Sequence, residues 1–195
     1  VKKIVPGIIA GAVLFSGASL QQMGIVSTEA GKAGFITGLY VIIVPFMAIP
    51  LGKKTNLTTW IGAALAVCGL YFLSIHGTFQ ILPGDLLVVG SAFFWALHVL
   101  VVDYFSPRGE SLDIAIVQFF TCAAGSLLMA IFLEPFSLSA FKEAWTAIAY
   151  GGLLSVGVAY TLQIVAQKAA PPGHAAIILS LEAAFALLGG SILLQ

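Results

Sequence analysis

Residues 175–190 read AAIILSLEAAFALLGG. Fifteen of these sixteen residues are apolar, small or hydroxyl-bearing, and the sixteenth is Glu182. A run of this kind belongs in a bilayer, where a central charge costs about 2.5–3.5 kcal/mol on insertion scales. Working outward, further charge-free stretches organise the rest of the chain: 4–28, 33–52, 55–84, 86–102, 114–133 and 144–167. A helix that crosses a bilayer needs about 20 apolar residues. The runs are too long for strands and lack period-two alternation. The pattern predicts an all-α integral membrane protein with seven transmembrane helices, at 4–26, 31–51, 58–76, 85–106, 111–133, 144–168 and 173–195.

Composition agrees. The 195 residues are 60% hydrophobic and 8% charged, against about 25% charged in a soluble domain. Net charge is zero and no basic cluster exceeds two residues, which argues against a nucleic-acid partner. Cys68 and Cys122 lie in apolar runs and read as small buried hydrophobes. No Cys or His pair stands at ligand spacing, so neither a metal nor a cofactor is expected. The chain lacks a starting Met and stops at SILLQ inside an apolar run, and it reads as a fragment.

Lys and Arg set the expected orientation. Lys2, Lys3, Lys53, Lys54, Arg108 and Lys168 fall on the side of the N-terminus, and Lys32 and Lys142 on the other. The positive-inside rule then places the N-terminus in the cytoplasm. Asp85, after Pro83-Gly84, suits the positive end of the fourth helix.

GAVLFSG at 11–17 matches GGLLSVG at 151–157, with Gly11, Leu14 and Gly17 aligned to Gly151, Leu154 and Gly157. Gln22 and Gln163 follow, then a short link and another long apolar helix. The two segments lie an odd number of spans apart, so they would be inverted. Inverted repeats mark secondary transporters that bind substrate near the midplane.

Three stretches carry a family resemblance: LQQMGIVSTEAGKAGFITGLYVIIVPF (20–46), GDLLVVGSAFFWALHVLVVDYFSP (84–107) and YTLQIVAQKAAPPGHAAIILSLEAAFALLGG (160–190). Together they resemble the EamA-type permeases of the drug/metabolite transporter superfamily. The resemblance implies ten helices in two inverted five-helix repeats, of which this chain would hold the third to the ninth. Residues 1–76 would then be the remainder of the first repeat, 77–84 a linker and 85–195 most of the second. It also implies Glu-Pro where this chain has Glu182-Ala183. That departure puts a break in the seventh helix in doubt, with Pro45 as the proline retained in the first half.

Polar residues inside the spans are the candidate substrate or ion pathway: Glu182, His98, Trp95, Gln118, Gln163, Tyr40, Gln22 and Tyr160. Counting from the helix ends at 1.5 Å per residue, Glu182 and His98 share a depth of ~12 Å. Pairing would offset the insertion cost of each. Ser91, Trp95 and His98 form a stripe, as do Gln118, Thr121 and Cys122, Tyr160, Gln163 and Gln167, and Ser19 and Gln22. Tyr40 and Trp95 offer flat surfaces to an organic substrate. Gly7/Gly11 and Gly34/Gly38 are spaced for close helix contact.

The expected function is a secondary transporter that moves a small organic metabolite or drug across the cytoplasmic membrane by alternating access, with protons as a candidate coupling ion. An intramembrane enzyme using His98 and Glu182 is the alternative, but no G-x-S-x-G or H-E-x-x-H accompanies them. A retinal pump would need a lysine in its last helix, and 175–195 has none. A structural membrane subunit gives no reason for Glu182.

Overall fold

The computed structural model describes residues 4–74, 81–134 and 137–193. Expectations that rest on Lys2, Lys3, residues 75–80, 135–136 and 194–195 lie outside the described residues. The elements are α1 (Val5–Gly24), α2 (Ala30–Gly38), α3 (Tyr40–Ala48), α4 (Leu57–Ser74) and α5 (Pro83–Phe105). They continue with α6 (Ser111–Leu133), α7 (Leu138–Tyr150), a π-helical stretch (Gly151–Tyr160), α8 (Thr161–Ala166), α9 (Pro172–Ser180) and α10 (Glu182–Leu193). Among the described residues there is no strand. Five helical rods, 5–24, 30–48, 83–108, 111–133 and 138–166, are long and apolar enough to cross a membrane. Two shorter apolar helices, Leu57–Leu73 and Pro172–Ala186, complete the seven.

Local chemistry sets the ends. Pro83 and Pro172 open α5 and α9, where a missing N–H costs nothing. Gly52, at φ 75°, turns the chain between α3 and α4. The sixth span begins six residues before the predicted 144, because the Ser137 hydroxyl accepts the Ala140 N–H at 3.3 Å and caps α7. Lys142 and Glu143 therefore sit on a helix, and Trp145 lies two turns inside it.

The chain forms two compact units, 1–15 with 101–169, and 16–100 with 170–195. In the second, Val41, Val44 and Ala48 of α3 bury against Ala63 of α4, Ala96, Val99 and Leu100 of α5, and Ala176 of α9. In the first, Val102 of α5, Ile114 and Ala115 of α6 and Ile164 of α8 form the buried centre. Lipid removes most of the hydrophobic drive between helices, so small residues that permit close contact hold such bundles together. Gly11 shows it: a Cβ there would lie 2.6 Å from the Gln118 carbonyl oxygen of α6. Gly34, by contrast, faces open space, while its partner Gly38 meets Leu70.

Apolar side chains line the outside. Leu127, Leu128, Ile131 and Phe132 of α6 and Leu153 and Leu154 of the π-helical stretch are all exposed, as a lipid-facing wall requires. Cys68 is exposed as well and Cys122 half-buried, which corrects the expectation that both are core residues. Their azimuths turn them outward, a property that residue type alone does not carry.

Candidate functional site

Two spans are interrupted in the same way. Each begins with nine helical residues, Ala30–Gly38 and Pro172–Ser180. Leu39 (φ −60°, ψ −14°) and Leu181 (φ −64°, ψ −14°) then tighten the turn. Their N–H groups donate to the Ile36 and Ile178 carbonyls, each at 3.2 Å. The bond closes a tighter turn than the α-helical one. Tyr40 and Glu182 are the first residues beyond the two interruptions. The break in the seventh span therefore forms without a proline. Pro45 does not mark the counterpart break either; it is buried inside α3, five residues past Tyr40. Thr37, two residues before Leu39, has a buried hydroxyl with no hydrogen-bond partner among the described residues. It was not among the expected site residues.

Tyr40 is half-buried against the cluster built on Val41 and Val44. Glu182 is exposed on α10. On α5 the expected stripe is present. Ser91 is buried and its hydroxyl donates to the Val88 carbonyl at 2.7 Å. His98 is 1% exposed. The Trp95 ring meets the His98 ring edge-on at 6.4 Å between centroids. The Trp95 indole N–H donates to Gln21 Oε1 at 2.9 Å. Gln21 is the residue that faces this stripe, and Gln22 is exposed. A sequence signal for Gln21 existed. Gly17, Gln21 and Gly24 stand at i, i+4 and i+7, and Gly17 and Gly24 are pressed against Phe94 and Val88 of α5.

The remaining candidates belong to the other unit. Gln118 is fully buried on α6. Thr121 back-bonds to the Val117 carbonyl at 2.8 Å. Gln163 Nε2 of α8 donates to Gln167 Oε1, just past the end of that helix, at 3.0 Å, and Gln167 is buried. Tyr160, half-buried, ends the π-helical stretch, a geometry that recurs at functional sites.

A second polar cluster was not foreseen. Lys32 of α2 forms an ion pair with Asp85 of α5. Thr28 donates to Asp85 Oδ1 at 3.0 Å and the Leu82 N–H to Oδ2 at 2.7 Å. The sequence offered Lys32 only as a charge on the far side and Asp85 only as a helix-end anion. A separation of 53 residues hides the pairing.

Long apolar spans packed through small residues define a polytopic helical membrane protein. The model of the EamA-like transporter family matches residues 82–195, and the chain belongs to that family. It is 31% identical over 185 residues to a protein named "Uncharacterized transporter" from Archaeoglobus fulgidus, covering 91% of this chain and 57% of that protein. It is 27% identical over 157 residues to the threonine/homoserine exporter RhtA of Escherichia coli, covering 76% of this chain and 50% of RhtA. The transporter YetK of Bacillus subtilis is 28% identical over 200 residues, 94% of this chain and 58% of YetK. The chain thus spans about half to three-fifths of the length of these relatives. A solved structure described as "Crystal structure of protein" superposes with a TM-score of 0.71 at 21% identity, over 93% of this chain and 73% of that one. The fold is shared.

Proposed function

We propose that the protein is a secondary transporter of small organic metabolites that works by alternating access, with the interrupted spans carrying its central site. The supporting observation is the matched register of the interruptions at Leu39 and Leu181. Interrupted segments in corresponding positions of two halves point to a transporter's binding site. The two halves present unlike groups there, a phenol at Tyr40 and a carboxylate at Glu182. Glu182 is the ionisable member and the candidate proton carrier. His98, Trp95 and Tyr40 supply further wall in the same unit, and Gln118, Gln163 and Tyr160, in the other unit, remain candidate pathway residues on their own helices. Gln22 remains a candidate for the path entrance, since it is exposed. The N-terminus lies in the cytoplasm and the host membrane is the cytoplasmic one.

RhtA's name makes small hydroxylated amino acids the first substrates to test. The experiment is flux of labelled threonine, homoserine and a wider metabolite panel in sealed proteoliposomes, with and without a pH gradient. Saturable flux for one compound class, stimulated by the gradient and made indifferent to it by Glu182→Gln, supports the reading. Saturable flux unaffected by pH and by that substitution removes the proton role and leaves a facilitator. Absence of flux for every compound, in protein that retains its fold, refutes transport of these classes.

A further inference from the structure

Lys32 and Asp85 sit where α2 and α5 begin, each in the first turn of its helix. Their side chains are 8% and 7% exposed. The position is unfavourable for a cation, because the N-terminal end of α2 carries partial positive charge. Asp85 compensates, and is itself held by Thr28 and by the Leu82 N–H. The junction is tight. A Cβ on Gly84 would lie 2.6 Å from Thr28 Oγ1, with the Gly24 carbonyl and Ser27 Oγ closer still. The end of α1, the link to α2 and the start of α5 therefore close on one another at one end of the bundle.

We infer that the Lys32–Asp85 pair is a latch that holds this end of the transport path shut and that must break for it to open. The inference rests on the transporter reading. Three features carry it. First, the pair joins α5, which bears Trp95 and His98, to the first half of the interrupted span whose second half, α3, opens with Tyr40. By 1.5 Å per residue, Tyr40 lies ~12 Å beyond Lys32 and His98 ~20 Å beyond Asp85. Parting α2 from α5 at this end would expose that interior. Second, a well-packed apolar pair commonly serves stability as well as a buried ion pair does, or better. Third, two charges at the end of a span exchange their partner for water when they separate. An ion pair is therefore a closure with an accessible open state.

The test is thiol accessibility. Ser91 is fully buried on α5, six residues deeper than Asp85. Ser91→Cys is placed in a protein with Cys68 and Cys122 replaced, reconstituted in oriented proteoliposomes. A membrane-impermeant maleimide is applied from the side of the pair, and labelling rate, melting temperature and substrate flux are read. The latch predicts labelling at least about tenfold faster in Asp85→Asn, since each ~1.4 kcal/mol taken from the closed state multiplies the open population by about ten. The exchanged pair Lys32→Asp with Asp85→Lys restores slow labelling. Should the single variant misfold, the double replacement Lys32→Ala with Asp85→Ala removes both charges without stranding either and packs no apolar clasp in their place. It, too, labels fast if the charges are the closure. Labelling as slow as in the parent, in a double variant that melts normally, overturns the latch and leaves a static staple. Parent protein that carries no flux and shows no two-sided accessibility overturns the transporter reading first, and the latch with it.

Discussion

Gly11→Ala isolates the packing that joins α1 to α6. The new Cβ would meet the Gln118 carbonyl oxygen and Thr121 Cβ at 2.6 Å and Gln118 Cα at 3.0 Å. Ordinary contact begins near 3.4 Å, so α1 must withdraw by close to an ångström from a backbone that cannot rotate away. Overpacking of that kind costs about 1–3 kcal/mol. Alanine in a helix interior returns about 0.5–1 kcal/mol relative to glycine. Gly34→Ala is the control, because nothing lies within 4 Å of its added methyl and only the propensity gain applies. The gap between the two variants is then the overpacking cost itself, read as roughly 2–12 °C in melting temperature for a chain of this size. The assay is thermal unfolding in one detergent, followed by tryptophan fluorescence and by size-exclusion of heated samples. Gly11→Ala should melt below the parent and Gly34→Ala at or above it. Equal shifts of the two, or a stabilised Gly11→Ala, would refute close approach as the basis of this helix contact.

Three further outcomes are expected. Gln21→Ala removes the acceptor of the Trp95 indole and should cost about 0.5–1.5 kcal/mol, with a shifted Trp95 emission, while Gln22→Ala, at an exposed position, leaves both unchanged. Breaking the buried pair with Asp85→Asn or Lys32→Met should each destabilise by about 3–5 kcal/mol, and the double Lys32→Met/Asp85→Leu by much less; a double-mutant cycle by thermal unfolding measures the coupling, and additive losses would show that the two side chains do not interact. Glu182→Gln should not lower the melting temperature, because the side chain is exposed and the bilayer penalises the charge that the substitution removes, yet it should flatten the pH dependence of flux; a large stability loss with unchanged pH dependence would reverse the assignment.

Much of this protein was determined by sequence alone. Seven apolar runs give seven helical segments because an unpaired backbone group in lipid costs several kcal/mol, leaving the helix as the economical form for such a run. The one carboxylate inside those runs, Glu182, announces itself by the same cost. Tertiary structure decided the rest. The breaks at Leu39 and Leu181 carry no proline and no glycine at the break itself, so residue type did not announce them. Gln21 rather than Gln22 faces Trp95 because adjacent helical residues differ by about 100° in azimuth, which hydropathy along a line does not record. Lys32 finds Asp85 only after α2 and α5 come together, since which charges meet depends on which helix faces pack, and those are chosen by small residues at contacts far apart in the chain.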